Sequence, residues 1–165
     1  MYQNHRAAFT MLELTFVIVV IGILSAVALP RFSETSDNAY LTKAQNTVAI
    51  VRSALATERQ RRILRGEAAV PITDLSLSAA GVATANAFDH FSGVGNPVVY
   101  TRVLDYPIAA CSGAQRGCWV HAGTTYSYKF PDASMGVDGQ ADFVLAANRF
   151  DCAGADTSDC QLITQ

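Results

Sequence analysis

The sequence predicts an α+β fold in which one long N-terminal helix, a membrane-spanning half followed by an amphipathic half, packs on a small antiparallel β-sheet. Three observations predict it. Phe9 to Leu29 is a continuous apolar run of helical length. Leu41, Ala44, Val48, Val51 and Leu55 then recur at spacings of three and four, the mark of one buried helix face. The last third alternates apolar and polar residues, as in Thr125-Tyr126-Ser127-Tyr128-Lys129-Phe130, where Tyr126, Tyr128 and Phe130 share a face. The segments in order are a polar leader at 1–8, the apolar helix at 9–29, the amphipathic helix at 30–66, a connecting loop region at 67–97 and a β-sheet region with a C-terminal loop at 98–165.

Composition narrows the class. Half of the 165 residues are hydrophobic and 16% are charged, with a formal net charge of −2. The length suits one domain with accessories. A charge this near neutral does not suggest nucleic-acid binding by bulk electrostatics; a DNA role through a local patch stays open but has no support in the sequence. No Ser-His-Asp pattern, metal-ligand cluster or phosphate-cradling glycine loop occurs, and His90 and His121 lack evident partners, so an enzyme is not expected.

The apolar run admits three readings. At about 1.5 Å per residue, roughly 21 residues cross a hydrocarbon core of about 30 Å. A buried core helix is rarely apolar on every face over that length. A cleaved secretory signal has a shorter core and a small-residue exit, whereas this run ends in Leu29-Pro30. A retained membrane helix fits best. Its one charge is Glu13, and a carboxylate inside a span costs about 2.5–3.5 kcal/mol, so it needs a partner or a task.

The stretch Ala8-Phe9-Thr10-Met11-Leu12-Glu13-Leu14, followed by an apolar run that contains Gly22 and ends in Leu29-Pro30, resembles the prepilin signature of type IV pilins and of type II secretion and competence pseudopilins. The resemblance covers about the first fifth of the chain. It implies a prepilin leader at 1–8, cleavage between Ala8 and Phe9 by a prepilin peptidase, N-methylation of Phe9, and Glu13 as fifth residue of the mature chain. Pro30 falls at the family's helix kink. The family usually carries glycine before the cut, where this chain has Ala8. The resemblance implies a filament subunit of the bacterial inner membrane, single-pass, with its N-terminus cytoplasmic and its C-terminal domain periplasmic or extracellular. The implied partners are other subunits, an assembly platform and membrane lipids, with nucleic acid involved only indirectly in a competence filament. The Phe9 amine and the Glu13 carboxylate of a neighbour are each costly in hydrocarbon and offset each other as a pair. The competing reading is a membrane-tethered periplasmic binding module that does not polymerise.

Beyond the span, Ser33, Ser36 and Asp37 offer N-cap chemistry after Pro30. The amphipathic helix is expected to end near Leu64–Arg65 with Gly66 as its cap. Arg59, Arg61, Arg62 and Arg65 there read as solvated groups favoured by the helix dipole, with an inter-subunit charge contact as the alternative. A short helical piece is expected around Ala83–Phe91, and strands at Val98–Leu104, Thr125–Phe130 and Phe143–Ala147. Trp119 reads as core and His121 as a strand residue.

The four cysteines allow three pairings. Cys111–Cys118 and Cys152–Cys160 each enclose a glycine-containing turn and are preferred. The alternative is a long-range tie of the C-terminal segment to the sheet. Zinc is disfavoured because neither spacing is Cys-x-x-Cys. No cofactor is expected. Calcium remains a lesser option, on oxygens from Asp132, Asp138, Asp142, Asp151, Asp156 and Asp159, without an EF-hand pattern.

Overall fold

The computed structural model describes residues 9–76, 86–95, 98–154 and 158–164, except for the side chains of Leu29, Pro30, Ser33 and Glu34. The chain divides into two units, one ending at Asn38 and the other beginning at Ala39. Helix α1, Met11–Leu64, contributes to both. Within the first unit the large apolar side chains from Phe9 to Val27 are exposed.

The expected restart of the helix at Ser33, Ser36 and Asp37 does not occur. The helix passes Pro30 and has no terminus there to cap. A proline removes one N–H, and the loss of one hydrogen bond does not end a helix whose other bonds persist. Thr35 instead donates its hydroxyl back to the Arg31 carbonyl at 2.9 Å.

In the second unit α1 buries Ala44, Val48, Val51 and Leu55, with Leu41 half-buried beside them. These residues meet a four-stranded antiparallel sheet in the order β3-β4-β5-β6: Cys118–Ala122, Thr125–Lys129, Gln140–Ala146 and Arg149–Cys152. Register places the large side chains on one face: Trp119 is opposite Tyr128, Tyr126 opposite Phe143, and Leu145 opposite Phe150. Phe143 stacks on Phe150 with ring centroids 5.1 Å apart, and Trp119 lies 5.2 Å from Tyr128. Each buried side chain of this size contributes about 1.5–3 kcal/mol. Trp119 is therefore a core residue and His121 lies on a strand, both buried.

Two residues join each outer hairpin. Gly123 opens the β3–β4 turn at φ +62°, a conformation a side chain rarely adopts. Between β5 and β6, Ala147 and Asn148 both have positive φ, 50° and 62°, as a type I′ turn demands. The Asn148 carboxamide oxygen accepts the Ile72 N–H at 2.6 Å, which ties the segment after α1 to this hairpin.

Two expected elements differ. Val98–Leu104 is not a strand; it pairs only at the isolated bridges Val94–Val99 and His90–Arg102. Val98, Val99 and Tyr100 are all about half exposed, so their β-propensity has no sheet face to fill. The helical piece at Ala83–Phe91 is replaced, where described, by strand β1, Asn86–Phe88, paired with β2, Ile108–Ala109; residues 83–85 lie outside the described part. Phe88 is wholly buried and stacks on Tyr126 at 5.2 Å, and packing on the aromatic face outweighs the local preference for helix. Helix α2, Ser158–Thr164, seats Cys160 and Ile163 in the core and gives its Leu162 carbonyl to Gln45 Nε2 at 3.2 Å.

The Tyr126 hydroxyl is the polar centre of this unit. It donates to Asp74 Oδ1 at 2.6 Å and accepts the Leu75 N–H at 2.9 Å. Burial, followed by the Asp74 carboxylate, pushes its ionisation far above that of a free phenol. Burial also raises Tyr128 to about 12. Both phenols bind their protons more tightly folded than unfolded, so their contribution is complete below about pH 10 and declines as pH rises beyond it. Tyr126→Phe should cost about 1–3 kcal/mol, because it strands the Leu75 N–H. It should also flatten the loss of stability above about pH 10. Denaturant titration of the detergent-solubilised chain, read by Trp119 fluorescence, measures both effects. Ala147→Gly should stabilise the same preparation by about 0.5–1 kcal/mol, by removing the side chain from a left-handed position.

Candidate functional site

The apolar helix begins with a capped turn. The Glu13 N–H donates to Thr10 Oγ1 at 3.2 Å, and the Leu14 N–H donates to the Thr10 carbonyl at 3.2 Å. Thr10 is thus the N-cap and Glu13 the third helical residue, the spacing of a capping box. An acid in this turn also faces the positive end of the helix dipole. The signal Thr-x-x-Glu was present in the sequence, and Thr10 is the residue that sequence reasoning overlooked. Among the described residues no cation pairs with the Glu13 carboxylate. Met11–Ala28 is long and apolar enough to cross a membrane, and none of it is buried. Phe9 is exposed at the head of this stretch. Ala8 lies outside the described residues, as does the rest of the leader.

At its far end α1 stops in a Schellman turn. The Gly66 N–H reaches the Ile63 carbonyl at 3.0 Å and the Glu67 N–H reaches the Arg62 carbonyl at 2.8 Å, with Gly66 at φ +78°. The arginines here do not act alike. Arg62 is buried rather than solvated: it holds the buried Glu58 at 3.1 Å and donates to the carbonyls of Pro71 at 3.2 Å and Ser92 at 2.7 Å. A guanidinium supplies several donors in one plane, so a single side chain fastens the helix to two passing loops. Arg65 reaches Glu58 at 3.5 Å from the surface side.

The structure joins Cys111 to Cys118 and Cys152 to Cys160. The first bridge closes the loop before β3, and the second fixes β6 to α2. Asp138, Asp142 and Asp159 line one small pocket, but the described acidic residues do not form a group able to hold a metal ion. The Asp159 carboxylate is taken by the N–H groups of Val137, at 2.7 and 2.9 Å, and Asp138, at 3.0 Å. Asp151 pairs with Arg149 at 2.9 Å, and Asp142 accepts from Gln140 at 3.2 Å. The Ser134 N–H, then its hydroxyl, holds Asp132 below the usual carboxylate range. Asp156 lies outside the described residues. Among those described, no group of three or more His, Cys, Asp or Glu side chains could hold a metal ion. His121 has partners after all: its Nε2 lies 2.9 Å from the Gly123 carbonyl and its ring stacks on Tyr126. Both are core contacts. His90 lies 3.9 Å from Asp89.

One flank of α1 forms a groove of about 640 Å³ with β6, floored by Leu55, Ala56 and Phe150 and rimmed by Arg52, Arg59 and Arg149. Arg52 is held there by the Phe150 carbonyl at 3.0 Å.

The chain is similar to several pilus and fimbrial subunits over part of its length. It is 52% identical over 48 residues to "Type IV narrow pilus major component PilA5" of Thermus thermophilus, which covers 29% of this chain and 41% of that protein. It is 35% identical over 58 residues to a "Fimbrial protein" of Moraxella nonliquefaciens, covering 35% of this chain and 38% of the other. It is 37% identical over 62 residues to a "Fimbrial protein" of Pseudomonas aeruginosa, covering 38% of each. The matches thus span about two fifths of the relatives' own length. No family model matches, and no solved structure does. A long N-terminal helix whose second half packs on a small antiparallel sheet, with a C-terminal disulfide, is a pilin-like α+β architecture.

Arg62→Met should destabilise the second unit by about 3 kcal/mol, because it leaves Glu58 buried with only Arg65 nearby. Glu58→Met combined with Arg62→Met should cost less than Arg62→Met alone. Denaturation midpoints followed by Trp119 fluorescence give the comparison.

Proposed function

We propose that this chain is a structural, non-catalytic subunit of a type IV pilus-like filament, whether pilus, type II secretion pseudopilus or competence pseudopilus. The observation that carries the reading is the capped helix start, with a carboxylate that has no ion-pair partner among the described residues opening an apolar stretch that none of the described residues buries. The partial similarity to pilus and fimbrial subunits supports it. A prepilin peptidase cleaves between Ala8 and Phe9 and methylates the Phe9 amine. The single-pass precursor rests in the inner membrane with its leader in the cytoplasm and its cysteines on the oxidising side. Assembly moves the helix from lipid into contact with other subunits, and Glu13 of one copy pairs with the Phe9 amine of the next. Each charge is costly alone in an apolar layer, and the pair sets axial register. Pro30, which lacks a helical N–H, is where the helix bends. The segments 9–29, 30–66, 67–97 and 98–165 serve as polymerisation helix, supporting helix, connector and outward-facing head.

Glu13 has two tasks in this scheme, and three substitutions separate them. Thr10→Ala removes the cap at a cost of about 1 kcal/mol and leaves the charge, so filaments should persist. Glu13→Gln keeps a side chain able to complete the capping box but removes the charge, so incorporation should fail. Glu13→Val should fail as well, while inserting normally into membranes. Electron microscopy of sheared filaments and membrane fractionation provide the readouts. Normal filaments from Glu13→Gln would remove the pairing role, whereas a tethered binding module predicts no filaments from any variant. N-terminal sequencing with intact mass tests the cut; mature protein that retains Met1 would overturn it.

A further inference from the structure

The two flanks of α1 beside the buried stripe differ in chemistry. At about 100° per residue, Arg52, Ala56, Arg59, Gln60 and Ile63 lie on average roughly 120° around the helix from Ile50, Ser53, Thr57 and Arg61. The first set lines the basic groove with β6. The second set faces a smaller hollow of about 300 Å³ whose lining includes Asp105. Next to Asp105 stands Tyr106, 90% exposed. The turn that carries them is anchored: Val103 and Leu104 are buried, and Arg102 Nη1 donates to the Asp105 carbonyl at 3.3 Å. A rigidly presented tyrosine loses little freedom on contact and is a frequent interface anchor.

Charge completes the match. Among the described residues, neither the Asp105 carboxylate nor the Arg59 guanidinium has an ion-pair partner. Arg61 shares the hollow with Asp105 but does not reach its carboxylate within 4.0 Å. On the opposite flank the apolar lining of Leu55, Ile63 and Phe150 suits a ring; Asp151 in the same groove already pairs with Arg149 at 2.9 Å and Arg52 at 3.8 Å, which leaves Arg59 as the cation open to an adjacent carboxylate. We infer that the groove rimmed by Arg52, Arg59 and Arg149 receives Tyr106 and Asp105 of a second copy of this chain. Knob and groove are different patches on opposite flanks, so the contact is head-to-tail and repeats without closing on itself. It rests on the filament reading and names the head surfaces that meet in it.

The test places the photo-crosslinking residue p-benzoylphenylalanine at position 106 of the full chain in the producing cells. Because Tyr106 is exposed, the substitution leaves the core intact, and Trp119 fluorescence checks this. Irradiation should give a product of twice the chain mass, with the adduct mapped by mass spectrometry to residues 52–63 or 149–151 of the second copy. Arg59→Glu should lower the yield by about tenfold through like-charge repulsion of Asp105. An adduct within the same chain, on other residues, on another protein, or no adduct at all overturns the inference. Electron microscopy of unsubstituted cells decides separately whether filaments exist, so failure of the contact and failure of the filament reading are distinguishable.

Discussion

The second unit depends on one packing constraint: a stripe of modest side chains on α1, Ala44, Val48, Val51 and Leu55, must lie against a sheet face made mostly of aromatic rings. Small residues on the helix and large ones on the sheet let the two surfaces approach closely enough to exclude water. The sheet cannot supply this face unless four strands keep register, since a slip of one residue would turn Trp119, Tyr126, Tyr128, Phe143 and Phe150 to the solvent. The two tight hairpins, with Gly123 in one and Ala147-Asn148 in the other, therefore set the geometry on which the core rests.

Around this core the described parts of the connecting segments have little regular secondary structure, and several of their backbone groups find partners in side chains. Asn148 takes the Ile72 N–H, Tyr126 takes the Leu75 N–H, Arg62 serves the Pro71 and Ser92 carbonyls, and Asp159 gathers the N–H groups of Val137 and Asp138. In each case a residue from a regular element or a tight turn reaches out to satisfy a loop. Such side-chain partners satisfy backbone groups that no ladder reaches in the described parts of the connections. The same use of side chains explains why the acidic residues near the C-terminus do not gather into a cation site. Asp159, Asp151, Asp142 and Asp132 are each engaged by donors close at hand.

The features legible in the sequence were those with a period. The stripe from Leu41 to Leu55, the alternation of Tyr126, Tyr128 and Phe130, and the length of the apolar run each follow from repeat geometry alone, and Gly66 marked the helix end by its freedom at positive φ. What escaped depended on partners far along the chain. Val98 to Leu104 has the composition of a strand but meets residues 89–94 only at scattered backbone bonds and isolated bridges, not in a continuous ladder. Asn86–Phe88 reads as helix until Phe88 meets Tyr126. Arg62 continues the stripe's spacing through Leu55 and Glu58, which Arg59 and Arg61 do not; its phase was readable, but the Ser92 carbonyl it meets lies far along the chain. At the candidate site, Glu13 stood out as a lone charge. Its relation to Thr10 is local and was equally readable, because Thr-x-x-Glu before an apolar run is a helix-start pattern.

That relation bears on how a carboxylate can open an apolar helix at all. A charge at the centre of a hydrocarbon layer is far more costly than one near its edge, and Glu13 sits at the third residue of α1 rather than midway along it. There it faces the positive end of the helix dipole, and its own N–H is already satisfied by the Thr10 hydroxyl. Its place near the end of the apolar run and the helix dipole both lower the cost of a carboxylate there. In the filament proposed above, its acceptor capacity is open to a cation brought by another chain. In the proposed filament, local capping permits storage and the unspent charge drives pairing, so one side chain serves both states because its position at the helix start keeps the first from consuming the second.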